Sequence, residues 1–364
     1  MTQKSPAAAL RALSAIAAVA IASAAGAEDY RWQISGGYGE TELAPFADVE
    51  RVMLDATYYL DAVDDARGPY ALAPFLNRSS RVTAAVTNDK TTIVAPVATI
   101  GLPPPGPPAT ASATEETTGL VIGGRYVWST SGWYVGASYR DADTDQEPIS
   151  PVFQRGTTID GYQLFGGRYF GESTSLDLAA GTTRQTTELN INCYTSLCLS
   201  GRTASDVDTD DWSIGALHVG RGTRLTYSIS GRASSAKVTP SIDQVQLTLP
   251  SGALPPPPPA GTIVAGLTAL PVAPVPFTGP PPITDERDTY SVAGELFPTD
   301  RLGFRIGVAR SEGDFAEDDS YDLAATWFFK RAIAVEFVLA RTELKTGSLR
   351  RDIDSADVRL LGRL

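Results

Sequence analysis

The stretch Val121–Arg140, VIGGRYVWSTSGWYVGASYR, divides into two alternating sets on either side of Ser129-Thr130-Ser131-Gly132. One set is Ile122, Gly124, Tyr126 and Trp128, then Trp133, Val135, Ala137 and Tyr139. The other is Val121, Gly123 and Arg125, then Tyr134, Gly136, Ser138 and Arg140. Successive side chains on a strand point to opposite faces, so this is a hairpin with one large apolar face and one face of Arg, Ser and Gly. The second face is a poor lining for a packed core. The two faces must meet different surroundings.

The same alternation recurs along the chain. Tyr30, Trp32, Ile34 and Tyr38 alternate with Arg31, Gln33 and Ser35, and Val52, Leu54, Ala56, Tyr58 and Leu60 alternate with Arg51, Met53, Asp55, Thr57 and Tyr59. The sixth segment is expected to carry Phe165, Gly167 and Tyr169 on its apolar face, and the eighth, Trp212 to Val219, is the least regular. The reading yields fourteen strands, ending with Val358, Leu360, Gly362 and Leu364. Tight turns follow the fourth, sixth, eighth, tenth and twelfth: STSG, GES, GRG, PTD and KR. Longer connections follow the odd ones, including Pro-rich stretches near 91–117 and 239–285. Short turns at one end and long loops at the other are the layout of an outer-membrane barrel, with the short turns in the periplasm. Asp61 to Ser79 breaks the rule, being long where a short turn is expected.

The N-terminus agrees with export. Lys4 and Arg11 precede the apolar run Ala12 to Ala25, and Ala25-Gly26-Ala27 has the form of a cleavage site, so residues 1–27 are expected to be a signal peptide and 28–364 the mature domain. Beyond it no apolar run reaches the roughly 20 residues of a membrane helix. Membrane entry then leaves only a barrel. The 30 Lys+Arg against 42 Asp+Glu argue against a nucleic-acid partner. Cys193 and Cys198, four residues apart in a polar segment, suit a small loop disulfide in an oxidising compartment, with free thiols as the alternative.

Aromatic residues form two expected belts. Trp128, Trp133, Tyr169, Phe297, Trp327 and Phe329 flank the tight turns, and Tyr38, Tyr139, Trp212, Tyr290 and Tyr321 lie near the long-loop ends. Amphipathic rings concentrate at the two membrane–water interfaces. Gly123-Gly124-Arg125-Tyr126 and Gly166-Gly167-Arg168-Tyr169 read as one structural unit used twice, each Arg facing the lumen just before a tight turn.

The segment Tyr58–Val82, YYLDAVDDARGPYALAPFLNRSSRV, resembles the general bacterial porin family in Tyr58-Tyr59, Val63, Gly68-Pro69, Phe75-Leu76 and Arg78. Leu60, Ala62 and Leu72 depart from its pattern. The resemblance implies a Gram-negative outer-membrane β-barrel, makes the long Asp61–Ser79 connection a family feature, and leaves open a homotrimer, for which the sequence carries no interface signal.

The expectation is an all-β protein: a transmembrane, antiparallel, up-and-down barrel of about fourteen strands. Its apolar face meets outer-membrane lipid and lipopolysaccharide, and its polar face meets water. Candidate pore-lining residues are Arg31, Arg51, Asp55, Arg81, Arg125, Arg140, Arg168, Arg224, Glu295, Arg305, Asp322, Glu336 and Arg359, with Arg232, Asp160 and Asp177 expected inward as well. Inward Arg outnumbers inward acid in this reading, which predicts a mild anion preference. No catalytic constellation, cofactor or metal is expected: the chain has one His, His218. The acidic run Glu312 to Asp319 reads as a solvated loop, with Ca²⁺ binding the alternative. The expected function is passive diffusion of small hydrophilic solutes or ions. Two rivals remain, a structural or adhesive surface barrel and a soluble exported β-sandwich that binds a ligand.

Overall fold

The computed structural model describes residues 29–43, 47–96, 110–146, 153–191, 200–222, 225–248, 284–314, 316–347 and 349–364. Residues 1–27, expected to be a signal peptide, Cys193 and Cys198 with their expected disulfide, Arg224 and the proline runs Leu102–Pro108 and Pro255–Pro259 lie outside these residues.

The described residues form fourteen strands: β1 (Asp29–Leu43), β2 (Ala47–Asp64), β3 (Arg81–Pro96), β4 (Thr110–Val127), β5 (Trp133–Gln146), β6 (Phe153–Phe170), β7 (Thr174–Ile191), β8 (Ser200–Arg221), β9 (Thr226–Thr248), β10 (Asp285–Thr299), β11 (Leu302–Gly313), β12 (Glu317–Lys330), β13 (Ile333–Thr346) and β14 (Leu349–Arg363). Every strand is antiparallel to its sequence neighbour, and β14 pairs with β1 from Gln33↔Arg363 to Glu42↔Asp354, so the sheet is a closed barrel. Closure satisfies the edges that an open sheet would leave unpaired. Tight turns close the hairpins at one end. In the β4–β5 turn Trp128 N–H donates to Trp133 O at 2.9 Å, and Gly132 takes the left-handed φ of 71° that a side chain would resist.

Large apolar side chains cover the outside. Leu178, Ile306 and Leu339 are 61%, 60% and 59% exposed, values no packed core permits. Two sheets packed through such faces would have buried them, so the architecture is a barrel and the β-sandwich rival falls. In register, Leu54↔Val86↔Leu120 and Phe304↔Ala325↔Phe337↔Val358 form continuous outward rows. On β8 the outward residues are Trp212, Ile214, Ala216 and His218, which settles the parity of that strand.

Several strands rise well past the apolar girdle. Crossing a bilayer takes roughly 9–11 residues, and β8 and β9 have 22 and 23. Above Tyr139, Tyr162, Trp212, Tyr290 and Tyr321 the outer face turns acidic, with Asp141, Asp160, Asp210, Asp288 and Asp319 next in their rows. Parts of the expected loops are therefore strand: β3 reaches Pro96, β4 starts at Thr110, and β9 reaches Thr248. Most of the acidic run expected as a loop is strand: Glu312 and Gly313 end β11, Glu317 to Asp319 begin β12, and Gly313 N–H donates to Ala316 O. Its carboxylates pair with Arg310, Arg287 and Lys345.

Candidate functional site: the lumen and its plug

The connection from β2 to β3 is the feature that organises the interior. After Asp64, two single turns of 3-10 helix (Asp65–Arg67 and Tyr70–Leu72) lead into a four-residue helix, α1 (Ala73–Leu76). Pro74 at the start of α1 and the helix's Asn77 cap fit so short an element, since proline is tolerated in a first turn. The segment folds inward and bridges the short-turn mouth. Leu72 and Leu76 pack on Val219 of β8 and Phe297 of β10. Tyr70 packs on Phe328 and Ala334 of β12 and β13. Phe75 lies against Val127, Tyr134 and Tyr169 of β4, β5 and β6. Ala73 meets Tyr30, Tyr59 and Val63 of β1 and β2. The contacts run around the circumference, so this segment is a plug.

Arginines bind the plug to the wall through its backbone and rings. Arg363, only 4% exposed, lies between the rings of Tyr30 (4.6 Å) and Phe328 (4.7 Å) and donates to Tyr70 O at 2.7 Å. Arg125 donates to Ser79 O at 3.1 Å and lies over the Tyr134 and Tyr169 rings. Arg78, the one described non-glycine residue with positive φ, donates to Gly171 O, and Arg331 approaches Asp65 at 3.6 Å. Tyr70 N–H donates to Asp300 O, and Ser80 Oγ accepts from Val127 N–H, both at 2.9 Å.

Above the plug the lumen wall is polar and half-exposed. Arg51 forms a bidentate pair with Asp89 (2.8 and 2.9 Å). Arg232 meets Asp177 at 3.0 Å, Arg305 meets Asp322 at 3.3 Å, and Arg359 meets Glu336 at 3.8 Å. Asp55 accepts from Ser35 Oγ, Glu295 sits inward beside Ser228, and Arg140 donates to Thr183 Oγ1 at 2.5 Å. Asp89, Asp211, Asp318 and Asp357 also face inward and were not anticipated. Among the described residues the predicted excess of inward Arg is therefore absent, and with it their support for an anion preference. Arg81 and Arg125 face inward as expected.

Three positions are corrected. Arg168 faces outward, over the rings of Trp133 and Phe170 (5.4 Å each), because the register Gly136↔Phe165 turns Phe165 and Tyr169 into the barrel. The two Gly-Gly-Arg-Tyr units thus stand in opposite phase: Arg125 points in and Tyr126 out, Arg168 out and Tyr169 in. Asp160, opposite Arg184 and Asp141, also faces outward. Arg31 sits where the register shifts between Tyr30↔Val63 and Trp32↔Tyr58, one residue of β1 standing against four of β2; the N–H groups of Arg31 and Trp32 both donate to Leu364 O, Tyr30 turns inward while Trp32 stays outward, and Arg31 falls out of the alternation. Of the expected lower belt, Tyr169 and Phe297 lie inside, whereas Trp128, Trp133, Trp327 and Phe329 remain outside. His218 is an outward wall residue, 2.9 Å from Thr174 Oγ1.

A closed sheet with an apolar girdle, two aromatic rows and a polar interior defines the class: a transmembrane β-barrel of the outer-membrane type. No protein-family model and no curated protein sequence matches the chain. Among solved structures it is similar to the outer membrane protein Omp33 of Acinetobacter baumannii, at 14% identity over 93% of this chain and 100% of that one, with a TM-score of 0.47. It is similar to the P. putida toluene transporter TodX at 9% identity, over 92% and 90%, with a TM-score of 0.46. The translocator domain of the autotransporter NalP from Neisseria meningitidis gives 9% identity over 98% and 97%, with a TM-score of 0.41. Such likenesses concern architecture only.

Proposed function

We propose that the protein is an outer-membrane diffusion channel of the porin kind, passing small hydrophilic solutes through a lumen whose short-turn mouth the plug restricts. The observation that carries this reading is the wall above the plug. Its arginines and carboxylates are paired yet half-exposed, as water-lined charges are, and a barrel serving only as a scaffold has no use for them. Charge of both signs along one wall discriminates weakly between small anions and cations. The porin resemblance of Tyr58–Val82 supports the same reading, and that segment coincides with the plug and its anchors. Its functional surroundings are outer-membrane lipid and lipopolysaccharide outside and small hydrophilic solutes or ions inside.

A second reading, a surface barrel with structural or adhesive duties, is favoured by the plug itself and by the height of β8 and β9. Swelling of proteoliposomes in sugars and amino acids of rising size separates the two. The channel reading expects flux with a size cut-off, rising when residues 68–77 are replaced by a short Gly-Ser linker. No flux from either protein would leave the surface barrel.

A further inference from the structure

We propose that a hollow in the lumen wall, running from β7 to β12, binds zwitterionic solutes of amino-acid or dipeptide size. The inference rests on the channel reading and names its solute class. The hollow measures about 470 Å³ and is bordered by four charged side chains, Asp177, Arg232, Arg305 and Asp322. It is neutral in sum, with both signs at its border. Glu295, the register partner of Arg305, lies nearer the plug and does not border it. Between Arg232 on β9 and Asp322 on β12 the inward residues are Ser291, Ala293, Gly307 and Ala309, so no long side chain fills the space. Glycines seat the carboxylates against the wall. Arg232 reaches Asp177 across Gly215, where a Cβ would stand 2.8 Å from Asp177 Oδ1. Asp322 lies over its register partner Gly307, where a Cβ would overlap the carboxylate.

The charges at the border are open to a solute. Arg51, elsewhere in the lumen, closes on Asp89 with a bidentate fork at 2.8 and 2.9 Å. Arg232 instead meets Asp177 through one nitrogen at 3.0 Å, and Arg305 comes no nearer to Asp322 than 3.3 Å. Both arginine side chains stay exposed, at 51% and 50%. An arginine has more N–H donors, and a carboxylate more lone pairs, than such contacts use. A solute carrying both a carboxylate and an ammonium can therefore bond to both signs at once. A singly charged solute is drawn to one member of each pair and repelled by the other, and a neutral one gains only weaker bonds in place of water.

The test is a ligand-observed NMR titration of the folded, detergent-solubilised protein at about pH 6.5, where a free amino terminus is protonated and a carboxyl is not. The probes are glycylglycine, a zwitterion, and three relatives of similar size: N-acetylglycine (anion), glycylglycinamide (cation) and N-acetylglycinamide (neutral). Glycylglycine is expected to bind saturably, about tenfold or more tightly than each relative, and about tenfold more weakly in Arg232→Gln and in Asp322→Asn. Ala293→Phe fills the floor without deleting a charge and should abolish binding, which keeps the proposal testable if a charge variant does not fold. Arg184→Gln removes an outer-face charge and should bind as the parent does. No saturable binding of glycylglycine, equal binding of any relative, or the parent's affinity in any of the three lumen variants overturns the proposal. Because the titration needs no conduction, binding without liposome flux would fell the channel reading and leave the site standing. Flux without binding would do the reverse.

Discussion

The short-turn mouth and the lumen above it use the same residue types under different solvation. In the lumen, Arg51, Arg232, Arg305 and Arg359 reach carboxylates and stay half-exposed. At the mouth, Arg363 is buried between two rings and bonded to a carbonyl. A wet guanidinium needs little from the protein, while a dry one must be satisfied by carbonyls and π-faces or it costs several kcal/mol. The plug makes the difference, because it turns the inward face of one barrel end into a core and leaves the rest a water-lined wall.

Substitutions should separate the two regions in order of size. Phe328→Ala, which empties the contact with Tyr70 and Arg363, should cost about 3–5 kcal/mol in a reversible unfolding titration in detergent. Leu76→Ala, facing Val219 and Phe297, should cost about 2–5 kcal/mol and raise the frequency of channel opening in planar bilayers. On the outside, Leu178→Arg should cost about 2–4 kcal/mol, while Ser230→Arg, on the lumen face of β9, should be tolerated. Arg363→Met leaves Tyr70 O without its donor and should cost about 1–3 kcal/mol. Arg305→Gln, in a half-exposed lumen pair, should change stability by no more than about 1 kcal/mol. If Arg305→Gln proved as damaging as Phe328→Ala, the distinction between a dry mouth and a wet lumen would fail.

Much of the wall was legible in sequence, because period-two alternation over fourteen segments fixes strand number and most facing at once. The facing errors start at the mouth, where phasing strand six on Phe165 and Tyr169 carries Asp160 with it. Alternation reports a face only when the two faces meet different solvents, and there both are apolar. Tyr58-Tyr59, Trp133-Tyr134 and Tyr169-Phe170 each put one ring outward to lipid and another inward to the plug or mouth, and Trp327-Phe328-Phe329 puts two outward and one inward. These broken alternations, beside an overlong connection carrying Tyr70, Leu72 and Leu76, were the available signal for a plug. Arg363 carried none, since its partners Tyr30 and Tyr70 are far away in sequence. The inward acids were undercounted because Asp89, Asp318 and Asp357 belong to strand segments longer than the apolar girdle that revealed the strands.

Strand β12 passes through every environment the account distinguishes, so a nitroxide scan of single cysteines from Ser320 to Phe329, in lipid bilayers, tests it most directly. Tyr321, Leu323, Ala325 and Trp327 should be open to oxygen dissolved in the hydrocarbon, Asp322 and Ala324 to a water-soluble nickel reagent, and Phe328 to neither. A Phe328 position as open to nickel as Asp322, or outward positions reached by nickel before oxygen, would contradict a lipid-embedded barrel with a wet lumen and a sealed mouth.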